Sequence, residues 1–247
     1  STGSPLSSAG FRYVYEHVAS DVHLASISGG TDIVSCFLLG VPTLPVYEGQ
    51  LQRPGLGVDL AVVDEDGRPL PDGAGELVCR GPLPSMPLGF VDDPGDVRYR
   101  EAYFARFSGV WRHGDRIERR PEGGYVHHGR SDATLNPGGV RIGSAEVTGP
   151  ALALPWVEDA AAVARRIGDD EEIWLLIVTA AGAEVDADAV PALRAAIRRG
   201  ASPRHVPARV LQVPELPRTR SGKTMELAIA AIVNGRAPDH PASAANP

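Results

Sequence analysis

The 247-residue sequence has one lysine, two cysteines and no long apolar run. No stretch approaches the roughly 18 consecutive apolar residues of a membrane-spanning helix, and no basic segment followed by an apolar one opens the chain. Those absences predict a soluble, untargeted protein with no membrane partner. A formal charge of −7 excludes a chain whose main business is gripping nucleic acid or an anionic surface, so its positive charges act locally. Cys36 and Cys79 are far apart and lack metal-type or redox-type spacing. They read as small, partly buried side chains and imply a reducing, cytoplasmic setting. A hydrophobic content of 43% allows a substantial core, and the length is read as two units.

Local patterns organise the rest. Val58 to Val63 is rich in strand formers, Asp64-Glu65-Asp66-Gly67 turns, and Gly75 to Arg80 resumes, which predicts a hairpin. Loops dominate from Pro82 to Gly95, and a further strand is expected at Tyr125 to His128. After Asp132 the texture changes to a small α+β unit, with strands near Ala160 to Ala164, Ile173 to Thr179 and Arg209 to Val213 and helices near Ala187 to Arg199 and Thr224 to Val233. Asp188 is a candidate cap for the first of these helices. The stretch from Ala237 to Pro247 has no apolar period and is expected to be unstructured.

The scarcity of lysine is the clearest functional signal. Lys and Arg together number 24; one is Lys223, leaving 23 arginines. Arginine therefore serves wherever a generic surface cation is needed, and keeping lysine at one place asks for a reason. A lysine carries a compact charge on a slim stem, which enters a narrow site that a planar guanidinium cannot. Its loop, Pro217-Arg218-Thr219-Arg220-Ser221-Gly222-Lys223, puts a flexible glycine beside that charge. The bland alternative is a surface cation at a helix start.

This loop resembles the C-terminal lysine motif of the acyl-adenylate-forming superfamily, which includes acyl-coenzyme A synthetases, adenylation domains and luciferases. The resemblance implies an α+β chain. Residues 1–131 would be the end of a large, β-rich N-terminal domain with a distorted barrel, residues 132–236 a small mobile α+β C-terminal domain carrying the lysine loop, and residues 237–247 a disordered tail. It also implies that Lys223 bridges the substrate carboxylate and the α-phosphate of ATP, a charge-assisted contact aimed at a developing anion. Further matches follow in the superfamily's order. Gly30-Thr31-Asp32 resembles the segment whose threonine contacts the α-phosphate and whose acid helps hold Mg²⁺, which implies a phosphate contact for Thr31 and a hard oxygen ligand at Asp32; taken alone, the triplet is equally a turn. Trp111-Arg112-His113-Gly114-Asp115 resembles the ribose-binding stretch, with Asp115 accepting from both ribose hydroxyls, and its local alternative is a turn Asp after a glycine.

The most specific match is Gly129-Arg130-Ser131-Asp132, continuing through Asn136-Pro137-Gly138-Gly139-Val140-Arg141 to Glu146. It implies Arg130 at the ribose, Asp132 as the hinge between the domains and Arg141 near phosphate. Gly138 and Gly139 would let the pantetheine arm of coenzyme A pass close to the backbone. Read locally, the segment is a hairpin exit and a Gly-Gly turn. Gly3-Ser4-Pro5 resembles the loop that lies against adenine. By its spacing to Lys223, Arg198 resembles an arginine that takes the 3′-phosphate of coenzyme A, and a solvated cation in the last turn of a helix fits it equally well.

Several stretches resemble the acetoacetate-activating branch in particular: Ser26 to Ile33, Pro84-Ser85-Met86-Pro87, and Ser131 to Gly139. Asn136 stands where much of the superfamily has a second lysine, which points to the short-chain acyl-coenzyme A group. The implied substrates are acetoacetate, ATP and coenzyme A, with no nucleic acid or membrane partner. Three departures stand out. Ser28 and Gly29 occupy positions where relatives often place an aromatic, Val91 stands where this branch tends to have Trp, and Gly149-Pro150 is expected to delay the first helix of the small domain. The sequence also has no Gly-rich, Ser/Thr-rich loop ending in lysine to cradle the β- and γ-phosphates. The chain is therefore expected to be the C-terminal part of a longer enzyme, with its N-terminal region missing, and to be inactive by itself. The alternatives are a non-catalytic nucleotide-binding remnant of the same fold, a synthetase for another short-chain acid, or a unit that loads a carrier protein.

Overall fold

The computed structural model describes the chain apart from residues 4, 169, 182, 184–187, 239–242 and 247. Ser4 and the expected helix start at Ala187 lie outside the described residues. The chain divides into two compact units between His128 and Gly129, a short way ahead of the boundary expected after Ser131.

In the first unit the elements run α1 (Ser8–Tyr13), β1 (Ser28–Gly30), β2 (Ser35–Leu39), β3 (Arg53–Pro54), β4 (Leu60–Val63), β5 (Gly73–Cys79), α2 (Val97–Tyr103), β6 (Trp111–Arg119) and β7 (Tyr125–Arg130), the last continuing past the boundary. The strands make two sheets, β1-β2-β3 and β4-β5-β6-β7. The expected hairpin is β4 and β5, paired antiparallel. Its turn forms because the Asp64 carboxylate accepts the backbone N–H groups of Asp66 (2.9 Å) and Arg68 (2.8 Å), the self-capping for which Asp is favoured in turns. Burial pushes the Cys79 thiol up from its ordinary range, in keeping with a small core side chain rather than a reactive one. The core gathers Ile33, Phe37, Leu77, Trp111 and Ile117 around these sheets.

The second unit runs α3 (Ser144–Leu152), β8 (Val157–Ile167), β9 (Asp170–Thr179), α4 (Ala189–Gly200), β10 (Arg209–Gln212) and α5 (Glu226–Val233). Its sheet has the order β10-β9-β8, with β8 antiparallel and β10 parallel to β9. Strand alternation splits the core in two. Ile173, Leu175 and Ile177 pack with Val147 and Ala151 of α3 and Leu193 and Ile197 of α4, whereas Leu176, Ala161 and Val163 pack with Leu216 and Ile229 of α5. Helices on both faces of the sheet give an α+β unit in which the lysine loop lies between β10 and α5. Asp188 occupies the N-cap position of α4.

Two expectations need correction. The first helix does not start after Gly149-Pro150; α3 runs through both residues from Ser144. Glu146 caps it by accepting the Gly143 N–H at 2.8 Å. Pro150 forfeits one helical N–H, but Val147 and Ala151 are fully buried, and Gly200 of α4 lies so close to the Pro150 ring that a Cβ there would approach it at 2.9 Å. Tertiary packing outweighs the propensity penalty. The second correction concerns the tail: Ala244, Ala245 and Asn246 are hydrogen-bonded to the lysine loop, because that loop leaves a backbone edge that needs partners.

Candidate functional site

In the first unit, one chain of packing links two of the expected segments. Strand β6 buries Trp111, His113, Asp115 and Ile117, the every-second-residue spacing of inward strand positions. Asp115 is thus a strand residue rather than a turn residue. The register of β5 against β6 shifts between Glu76 and Val78, and Gly114 takes a positive φ of 85°, so a bulge aims this stretch. A buried carboxylate must be paired. His127 on β7 approaches Asp115 with Nε2 3.3 Å from Oδ2, and His113 Nε2 lies 4.0 Å from the same oxygen.

His113 in turn meets the edge of Phe37, with ring centroids 4.8 Å apart, and fills the space beside Gly30 that any Cβ at that position would need. Asp115 and the Gly30-Thr31-Asp32 turn are therefore neighbours through one imidazole. Gly29 is packed just as tightly, against the backbone of Ser35 and Cys36, which leaves no room for a side chain there.

Thr31 and Asp32 are exposed and begin the turn between β1 and β2, while Ile33 next to them is fully buried. Asp32 is held from below: the Tyr103 hydroxyl donates to its Oδ2 at 2.6 Å. Tyr103 ends α2 and lies flat on Trp111, centroids 3.7 Å apart and planes 12° from parallel. Sequence reasoning missed Tyr103 and His127, since neither belongs to a motif. Of the adenine-loop candidates, Gly3 and Pro5 are exposed; two residues before Gly3, the Ser1 carbonyl accepts the Ile27 N–H at 3.0 Å, beside the lead-in to β1. Val91 is exposed.

The second unit carries the remaining candidates at the end of β7, in two loops and in the last turn of α4. Arg130 makes a forked pair with Asp132, Nε to Oδ1 at 3.2 Å and Nη2 to Oδ2 at 2.8 Å. Leu135 and Ile142, both buried, exchange backbone hydrogen bonds at 2.8 Å and close a loop that presents Asn136, Gly138, Gly139 and the exposed Arg141. Gly138 and Gly139 have φ of 57° and 77°, values that L side chains rarely adopt. Asp170 and Glu171, also without a motif, hold this loop from β9. Asp170 accepts the Gly138 N–H at 2.9 Å, and Glu171 accepts the Asn136 N–H. The bond from Gly138, with one from the Glu171 N–H, keeps the Asp170 carboxyl below its ordinary range. Arg198 is an exposed cation in the last turn of α4, with Arg199 beside it.

The lysine loop is a small hairpin. Arg218 bridges Thr224, the Thr219 N–H donates to the Lys223 carbonyl at 2.8 Å, and the Lys223 N–H donates to Thr219 Oγ1 at 3.1 Å. Gly222, at φ 83°, makes the reversal. The Arg218 guanidinium crosses beneath it, donating to the Gly222 carbonyl at 2.6 Å and pairing with Asp159 of β8. Lys223 is left exposed at the tip.

Residues 151–223 of this unit match the family model of the AMP-binding enzyme C-terminal domain. The whole chain is 50% identical to the acetoacetyl-coenzyme A synthetase of Rhizobium meliloti and 43% identical to the acetoacetyl-CoA synthetase of Mus musculus. Along its whole length the chain is similar to acetoacetyl-CoA synthetases, and its second unit matches the AMP-binding enzyme C-terminal domain. It spans 38% and 37% of the length of those two relatives. Among solved structures of AMP-binding enzymes, 92% of the chain superimposes on 35% of the acetoacetyl-CoA synthetase from Streptomyces lividans, with a TM-score of 0.83 and 44% identity. An anthranilate CoA ligase solved with anthranoyl-AMP has a TM-score of 0.80 at 21% identity, over 94% of this chain and 43% of its own. That likeness is one of fold.

Proposed function

We propose that this chain supplies the lysine-bearing part of an ATP-dependent acid–thiol ligase that makes acetoacetyl-CoA. A carboxylate oxygen of acetoacetate attacks the α-phosphorus of ATP and pyrophosphate leaves; the coenzyme A thiol then attacks the acyl carbonyl and AMP leaves. The observation that carries this reading is Lys223, the sole lysine, presented at the tip of a hydrogen-bonded hairpin in the domain that matches the AMP-binding C-terminal model. The choice of acetoacetate rests on the names of the relatives.

The roles divide along the geometry. Lys223 reaches the carboxylate and α-phosphate and offsets the charge that builds between them. Thr31 donates to a phosphate oxygen, and Asp115, steadied by His127, accepts from the ribose hydroxyls. Arg130 assists at the ribose, and Arg141 approaches phosphate. Arg130 is tied to Asp132 by two hydrogen bonds, so turning the backbone at Asp132, the proposed hinge, changes what Arg130 holds. The open space around Gly138 and Gly139 accommodates the pantetheine arm, with Arg198 a partner for a coenzyme A phosphate.

Among the described residues no three His, Cys, Asp or Glu side chains converge as a metal-binding set. Asp32, exposed and steadied by the Tyr103 hydroxyl, would hold Mg²⁺ together with nucleotide oxygens. Bound there, Mg²⁺ supplies charge neutralisation for the leaving pyrophosphate.

Lys223→Ala in the full-length enzyme tests the reading. Pyrophosphate release with acetoacetate, ATP and Mg²⁺ should fall by about 10²–10³-fold, the cost of removing one preorganised electrophilic contact. Thioester formation from preformed acetoacetyl-adenylate should barely change. Equal impairment of both halves would overturn the assignment. The 247-residue chain, which has no phosphate-cradling loop, should release no pyrophosphate by itself.

A further inference from the structure

The hairpin that carries Lys223 has a second edge, and it is occupied. On one side the backbone from Pro217 to Thr219 pairs with residues 223–225: Thr219 N–H to the Lys223 carbonyl at 2.8 Å and Met225 N–H to the Pro217 carbonyl at 2.9 Å. On the other side lies a short segment near the chain's last residues. Ala244 bridges Thr219 in antiparallel fashion, and the Ala245 N–H donates to the Arg218 carbonyl at 2.8 Å. The side chain of Asn246 then does what a further strand residue would do. Its Oδ1 accepts the Arg218 N–H at 2.8 Å, and its Nδ2 donates to the Leu216 carbonyl at 2.9 Å. Leu216 is buried in the core under α5, so Asn246 grips the loop where it leaves the packed interior.

The stem of the loop is thus the middle strand of a three-stranded patch. Two-stranded pairings are marginal in water, and a third strand is what confers independent order. Lys223 sits one short turn from Arg218 and Thr219, and it draws its own backbone bonds from Thr219. Any slack in the Arg218–Thr219 stem therefore moves the lysine. A displacement of about 1 Å at a group that must meet a developing charge is costly to rate.

We infer that Asn246 and the 244–246 segment form a positioning element for Lys223, acting through the Leu216–Thr219 backbone and touching no substrate. This rests on the reading of Lys223 as the adenylation lysine. An amide is required because the stem offers one donor and one acceptor to the same side chain; a carboxylate at this position keeps the acceptor for Arg218 but sets an oxygen against the Leu216 carbonyl.

The test uses the full-length enzyme carrying Asn246→Ala, Asn246→Asp and, beside them, Lys223→Ala. Asn246→Ala should lower kcat for pyrophosphate release about tenfold, the worth of two lost hydrogen bonds at the stem. KM for ATP and the rate of thioester formation from preformed acetoacetyl-adenylate should stay unchanged. Asn246→Asp should fall between Asn246→Ala and the parent. In the 247-residue chain, exchange of the Arg218 and Ala245 amide protons should speed up in Asn246→Ala while the core amides of β9 keep their protection. A loss shared equally by both half-reactions would make Asn246 merely structural and overturn the proposal. If Lys223→Ala abolishes adenylation and Asn246→Ala leaves it intact, the positioning role alone fails. If Lys223→Ala spares adenylation, both readings fall together.

Discussion

Tyr103→Phe isolates one atom. The hydroxyl donates to Asp32 at 2.6 Å, while the ring stacks on Trp111 at 3.7 Å and stays in the core, which phenylalanine preserves. A hydrogen bond to a carboxylate contributes about 1.5–3 kcal/mol when both partners are dry. Asp32 is exposed, so water replaces the lost donor on that side, and the expected cost falls to about 1 kcal/mol, or roughly 2–4 °C in Tm for a chain of this size. Trp111 fluorescence follows the transition, since the indole faces the altered ring. Function should suffer more selectively than stability. With Oδ2 no longer held, Asp32 rotates, and the Mg²⁺-dependent release of pyrophosphate by the full-length enzyme should drop about fivefold, the kinetic equivalent of about 1 kcal/mol. Thioester formation from the adenylate should be untouched. Should Tyr103→Phe unfold like the parent and adenylate at the parental rate over the whole Mg²⁺ range, the hydroxyl does not orient Asp32 and the reasoning is wrong.

Gly138→Ala places a side chain at φ 57° and should cost about 1–2 kcal/mol, read as a lower denaturation midpoint of the second unit, without steric conflict because nothing lies within 4 Å of the added atom. The same loop should respond to acid. Asp170 has a carboxyl held below its ordinary value by the Gly138 N–H, so its contribution is complete above the unfolded-state value and is lost as pH falls through the folded-state value. Exchange of the Gly138 amide should accelerate there, and Asp170→Asn should flatten the profile. His127→Ala removes the imidazole 3.3 Å from Asp115; AMP affinity, measured by calorimetry on the full-length enzyme, should weaken about five- to tenfold, and His127→Gln should recover part of it.

The elements that could be read from sequence were those with a local cause. The β4–β5 hairpin announces itself through Asp64 and Gly67, and β8, β9, α4 and α5 through apolar periodicity. Strand β6 did not, because two of its inward positions, His113 and Asp115, stand between Trp111 and Ile117, and polar residues on a core face break the hydrophobic pattern that marks a strand. Helix α3 was mistaken for the opposite reason: Pro150 and Gly149 carry a strong local penalty, and the packing of Val147 and Ala151 that overrides it is visible only in three dimensions.

The site shows the same division in sharper form. The residues proposed to meet substrate, namely Thr31, Asp32, Asp115, Arg130, Arg141 and Lys223, sit in short motifs, as expected where a substrate constrains residue type and spacing together. Residues that aim them do not. Tyr103 reaches Asp32 across 71 positions, Asp170 reaches Gly138 across 32, Arg218 reaches Asp159 across 59, and Asn246 reaches Arg218 across 28. Each needs only a hydrogen-bonding group of the right length at a point fixed by the fold, so many residue types and sequence distances serve equally and no pattern accumulates. Precision in such a site comes from supporting contacts. A remnant that kept the motifs but lost Tyr103, Asp170, Asp159 or Asn246 would look intact in sequence and act poorly. The separation of half-reactions at Tyr103 and Asn246 is therefore a more demanding trial of the ligase reading than another substitution among the motif residues.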